Sequence, residues 1–154
     1  MSKPPVLLLI HGANGYLLDQ FLQDSTNQRT DEYGGSLENR ARLMLEVTDA
    51  CIDVWGSDKV AMHLAPRMDA HDMGDSNRTA TFSYVAEQLA KRGIAFISTR
   101  EYSAEDSLTP QLKEVFGGTV IANEKFTKTE ANAWLAAGKA DAIAFGIPFI
   151  ANPD

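Results

Sequence analysis

Five short apolar runs, each closed by turn residues and separated by segments of helical period, constrain this chain more than any other feature. The runs are Val6 to His11, Lys59 to Ala65, Ile94 to Ser98, Thr119 to Ala122 and Ala142 to Phe145. Near-continuous hydrophobicity over so short a run is what a strand covered on both faces requires. Strands that alternate with helices pair in parallel, so the pattern predicts an α/β fold with about five parallel strands.

Four helices are expected between the strands. Leu37, Ala41, Met44, Leu45, Thr48, Ile52 and Trp55 recur at helical spacing, which places one stripe of the first helix inward. Asn77 to Arg92 carries Phe82, Val85, Ala86 and Leu89 on one face and stops at Gly93. Thr109 followed by Pro110 reads as an N-cap and a first-turn proline, with Gly117 closing that helix. Thr127 with Glu130 three residues on forms a capping box, and the last of the four helices ends at Gly138.

Composition narrows the partners. The chain has 154 residues, 44% of them hydrophobic, enough for one domain with a real core. A formal charge of -7 argues against nucleic acid and against an anionic membrane surface, since both demand clustered Lys and Arg. The one cysteine, Cys51, cannot form an internal disulfide and falls at an apolar helical position, where a buried thiol is expected. The apolar run at Val6 to Ile10 is too short for export or for spanning a bilayer, so a cytoplasmic location is expected.

The connection after the first strand, Gly12 to Gly35, is the long one. Long loops in compact domains are usually functional, and α/β folds place their chemistry at the C-terminal ends of the strands. This loop opens with His11-Gly12-Ala13-Asn14-Gly15-Tyr16. On residue types alone the favoured reading is structural, with His11 and Asn14 bonding loop backbone and Tyr16 packing as an ordinary aromatic. His71, in the acidic stretch Asp69 to Asp75, suggests metal binding only weakly against a solvated loop.

The segments His11 to Leu22, Ser25 to Arg42 and Ala144 to Asp154 closely resemble the old yellow enzyme family, in particular its xenobiotic and nitrate-ester reductase branch. The resemblance runs from Ile10 onward, far longer than any short motif. It implies a (β/α)8 TIM barrel holding FMN at its C-terminal mouth. There NADH or NADPH reduces the flavin, which passes hydride to an activated alkene, nitro compound or nitrate ester. Matched to that barrel, the chain supplies strands four to eight, a partial barrel lacking the first three βα units.

The same resemblance implies site residues. His11 and Asn14 match the pair that donates hydrogen bonds to the substrate's carbonyl or nitro oxygen, where negative charge develops as hydride arrives. Tyr16 matches the phenol that protonates the other carbon. His63 matches a flavin-side position that is arginine in many relatives. Ala122 and Asn123 where the fourth run ends, with Gly146 and Ile147 after the fifth, match the phosphate site, as expected of barrel loops after strands seven and eight. Many relatives carry a glycine-rich turn where Ala122-Asn123-Glu124 stand, Gly-Arg where Gly146-Ile147 stand, and an acid at Leu9.

Two architectures remain open: a flavodoxin-like sandwich, or a barrel arc with exposed edges, which the barrel-type strands and helices favour. Exposed parallel edges invite self-association or docking of a complementing barrel half, and the mouth invites a small-molecule substrate. The expected function is oxidoreduction by FMN and NAD(P)H, completed by a partner. The alternative is a non-catalytic or engineered half-barrel scaffold with weak or no flavin binding. A hydrolase reading, suggested by the apolar strand and His11-Gly12, lacks the Gly-x-Ser-x-Gly elbow.

Overall fold

The computed structural model describes residues 7–67, 71–101 and 105–152. Five strands form one parallel sheet: β1 (Leu8–Gly12), β2 (Val60–Leu64), β3 (Phe96–Arg100), β4 (Thr119–Asn123) and β5 (Ala142–Ala144). Their spatial order follows their sequence order without reversal. Right-handed crossovers that never reverse leave their helices on one side of the sheet, whereas a flavodoxin-like sandwich must switch direction. The fold is therefore a partial α/β barrel: an arc with a helix-covered outer face and a bare inner face.

Alternation along the strands sorts the side chains between those faces. Ile10, Val60, Met62, Leu64, Ile97 and Val120 point outward and form the main core with helical residues such as Met44, Phe82, Val85, Leu89 and Leu112. A smaller cluster, Ala122, Phe126, Ala131, Trp134 and Ala140, seals the end of the sheet. The strand register sets His11 beside His63 and His63 beside Ser98 on the inner face, with Arg100 and Asn123 paired one step nearer the mouth.

The helices are α1 (Leu17–Leu22), α2 (Leu37–Trp55), α3 (Arg78–Arg92), α4 (Thr109–Phe116), α5 (Lys128–Ala136) and α6 (Ile147–Ala151). α1 and α6 add to the four expected, and α1 lies inside the long loop. The α2 stripe buries Ala41, Met44, Leu45 and Thr48, but Trp55 at its end is 41% exposed. Cys51 packs against the core half-buried, not fully enclosed. The capping box at α5 is present in both directions: Thr127 Oγ1 accepts from the Glu130 amide, and Glu130 accepts from the Thr127 amide.

The start of α4 differs from expectation. Thr109 is not the cap but the first helical residue, fully buried, with Leu108 preceding it. The cap comes from outside the helix: the Glu101 carboxylate, just past β3, accepts from the amides of Leu108 (3.0 Å) and Thr109 (2.9 Å) and from the Ser107 hydroxyl (2.6 Å). A carboxylate at a helix N-terminus complements both the free amides and the dipole more strongly than a hydroxyl does. Glu101 also faces Arg67 Nε at 3.5 Å, so the buried charge has a cation beside it.

Candidate active site

The mouth of the arc is built from strand ends, and its first wall is the turn after β1. Asn14 (φ 61) and Gly15 (φ 72) both adopt left-handed backbone, which only glycine and, among other residues, chiefly Asn and Asp enter readily. The turn is locked from below. Asp19, fully buried in α1, accepts from the Gly15 amide at 3.0 Å and from Gln23 Nε2 at 2.7 Å. Burial outweighs these bonds and pushes the Asp19 carboxyl above its ordinary range. Further out, Arg40 anchors the loop by donating to the carbonyls of Leu22 (2.9 Å) and Gly35 (3.1 Å).

This scaffold brings His11 together with Tyr16 and His63. The His11 ring lies 5.3 Å from the Tyr16 ring, centroid to centroid, and 5.4 Å from His63, against which it stacks nearly parallel at 6°. His63 is held mostly neutral: burial first, then the neighbouring His11 and Arg100, lower its pKa from 6.5 to about 4. A neutral imidazole at neutral pH keeps one donor and one acceptor nitrogen. Tyr16 is 56% exposed, at the rim, and meets His71 edge-on at 6.2 Å.

Asn14 has a partner that sequence reasoning missed. Arg100, at the end of β3, donates from Nη1 to Asn14 Oδ1 at 2.9 Å and from Nε to Glu124 Oε2 at 2.7 Å. The negative charge of Glu124 is thus neutralised within the protein. The available signal was the inward alternation Phe96, Ser98, Arg100, which ends in a cation at a strand terminus.

The predicted phosphate residues converge in part. Asn123, Gly146 and Ile147 line a cleft of about 380 Å³ with Glu124, Lys125 and Phe126. Asn123 spans the last two strands by donating to the Ala144 carbonyl at 2.6 Å. Ala122 turns its methyl into the α5 cluster and gives the cleft no side chain. Among the described residues no three His, Cys, Asp or Glu side chains gather as a metal site, and Asp69 of the acidic stretch around His71 lies outside the described residues. Nor, among the described residues, is any helix long and apolar enough to cross a membrane.

A partial α/β barrel with polar side chains at its strand-end mouth is the class of protein that the fold defines, and comparison with known proteins gives the family. Residues 7–154 match the NADH:flavin oxidoreductase / NADH oxidase family, and the chain belongs to that family. It is 42% identical to 12-oxophytodienoate reductase 2 of Arabidopsis thaliana, over 94% of this chain and 41% of that protein. It is 40% identical to a probable flavin mononucleotide-dependent alkene reductase of Leishmania infantum, over 94% of this chain and 40% of that protein. Among solved structures, the old yellow enzyme homologue from Zymomonas mobilis superimposes with a TM-score of 0.91 at 40% identity, covering 96% of this chain and 44% of that one. Morphinone reductase in complex with tetrahydroNAD gives 0.90 at 40% identity, covering 96% and 41%. The chain spans less than half the length of each of these relatives.

Proposed function

We propose that this chain carries the substrate-activating part of an FMN-dependent oxidoreductase that uses NADH or NADPH to reduce activated alkenes, nitro compounds or nitrate esters. The observation that carries the reading is the packing of the His11 ring between Tyr16 and His63 at the mouth, with Asn14 of the same turn tied to the end of β3 through Arg100. The donor set fits a flavin. With Glu124 neutralised by Arg100, Lys125 leaves the cleft after β4 and β5 with a net cation suited to a phosphate. His63, Asn123, the backbone about Ala122, Gly146 and Ile147, and Lys125 would hold FMN. When bound, FMN accepts hydride from the nicotinamide and passes it to the substrate.

The chain's own residues prepare that transfer. His11 and Asn14 donate to the substrate oxygen and stabilise charge accumulating there, a contribution of about 3–4 kcal/mol per donor in comparable oxyanion sites. Tyr16, at the rim, holds the proton delivered to the second carbon. β1 and β5 each pair on one side among the described residues, so their outer edges are the natural docking lines for a complementing barrel half or a second copy.

The test is titration of the purified chain with FMN, then anaerobic addition of NADPH or NADH and of an enone or phenol ligand. Flavin uptake with ligand binding that His11→Ala with Asn14→Ala abolishes is expected. Failure to take up flavin removes the catalytic reading for this chain, and unchanged ligand affinity in the double variant removes the roles of His11 and Asn14.

A further inference from the structure

We propose that Arg100 is a positioning residue that fixes the Asn14 carboxamide with its amine facing the ligand; this rests on the reading of Asn14 as a substrate donor. The two ends of a carboxamide have nearly the same shape but opposite roles, since only Nδ2 can donate. A site that must donate to an oxygen therefore needs something to choose the rotamer. Arg100 can make that choice, because a guanidinium only donates. Its Nη1 holds Asn14 Oδ1 at 2.9 Å. The flipped amide would set donor against donor.

The guanidinium is itself held. Glu124 accepts from Arg100 Nε at 2.7 Å, and Glu124 reaches that position from a backbone with φ 107, a strained conformation for a side-chain-bearing residue. Three groups from three elements thus act in line: the β4 loop fixes Arg100, Arg100 fixes the Asn14 side chain, and Asp19 fixes the backbone beneath it. The span explains the residue type. β3 is separated from β1 by β2, and neighbouring strands lie about 4.8 Å apart, so the link must cross roughly 10 Å. Arginine is the natural side chain with several donors at that reach, and it passes near His63, whose imidazole is sensitive to its charge.

The Arg100–Glu124 pair is partly open to solvent, which screens its contribution to stability, so its loss moves ligand recognition more than folding. The experiment titrates the FMN-treated chain with 4-nitrophenol, whose colour reports its own ionisation, in wild type, Arg100→Met, Arg100→Lys, Asn14→Ala and Asn14→Ala with Arg100→Met. Arg100→Met is expected to weaken binding about tenfold, the size of one lost charge-assisted hydrogen bond, and Arg100→Lys to recover part of it. In the Asn14→Ala background Arg100→Met should cost nothing further, because Arg100 acts through that amide. In parallel, the order parameter of the Asn14 side-chain amide by 15N NMR should fall in Arg100→Met without any ligand. Asn14→Ala that binds the phenol as tightly as wild type removes the parent reading. Additive losses in the double variant, or an Asn14 amide equally ordered without Arg100, overturn the positioning role, and where the chain takes up no phenol the NMR result alone decides.

Discussion

His63→Asn is expected to flatten the chain's stability profile in mild acid. The imidazole stands half-buried between His11 and Arg100, and its pKa falls from 6.5 to about 4. Below pH 6.5 the unfolded chain takes up a proton here that the folded chain refuses until about 4, so stability drops as pH falls through that window. At about 1.4 kcal/mol per pH unit the ceiling is about 3.4 kcal/mol, and solvent screening of the exposed ring edge lowers it to roughly 2 kcal/mol. For a chain of this size that corresponds to about 4–8 °C in Tm. Urea and thermal unfolding followed by circular dichroism, in steps from about pH 7 to about pH 4.5, measure it in both proteins. Carboxylates such as Asp24 and Asp141, whose pKa values are lowered by hydrogen bonds, lose their contribution at the acid end in both, so the difference between the curves isolates His63. Parallel curves would refute the argument, because they would mean that burial and the two neighbouring groups do not disfavour the imidazolium.

Two further substitutions test the supports beneath the mouth. Glu101→Ala strips the cap from α4 and leaves the Leu108 and Thr109 amides without their acceptor, while Arg67 keeps its pair with Asp106, so a loss of about 1–3 kcal/mol is expected by urea unfolding; a loss below about 0.5 kcal/mol would contradict the buried geometry. Asp19→Ala leaves the Gly15 amide without its acceptor at a cost of about 1–3 kcal/mol, and Asp19→Asn, which can still accept there, should cost less. Faster hydrogen exchange at Gly15 in Asp19→Ala alone would confirm the ordering, and equal exchange in both variants would exclude it.

The parts of this protein legible in its sequence are those fixed by local periodicity. The five apolar runs became the five strands, and Phe82, Val85, Ala86 and Leu89 faced the core as their spacing required. Trp55 kept the spacing but lost the burial, because it lies at the helix end where the sheet no longer covers it. α1 was hidden although Leu18 and Leu22 sit one turn apart, since a helix of six residues inside a long polar loop hardly registers as a period. The supports of the site were hidden for a different reason. Arg100 reaches Asn14 across 86 residues, Glu101 caps α4 from the far end of the loop that precedes it, and Glu124 works through Arg100.

That division follows from how a barrel mouth is assembled. Each strand delivers one polar group at its end, and no local rule says which group on strand three will meet which loop after strand one; the parallel register decides it, by placing His11 level with His63 and Arg100 one step higher. The proposed reacting groups were named by the family resemblance, which takes in the turn of six consecutive residues, His11 to Tyr16, that holds them. Their orientation was not, because it depends on a donor-only cation arriving from elsewhere in the sheet. Two chains with the same His11-to-Tyr16 turn can therefore differ in which face of the amide they present, and the residue at position 100 is where that difference is set.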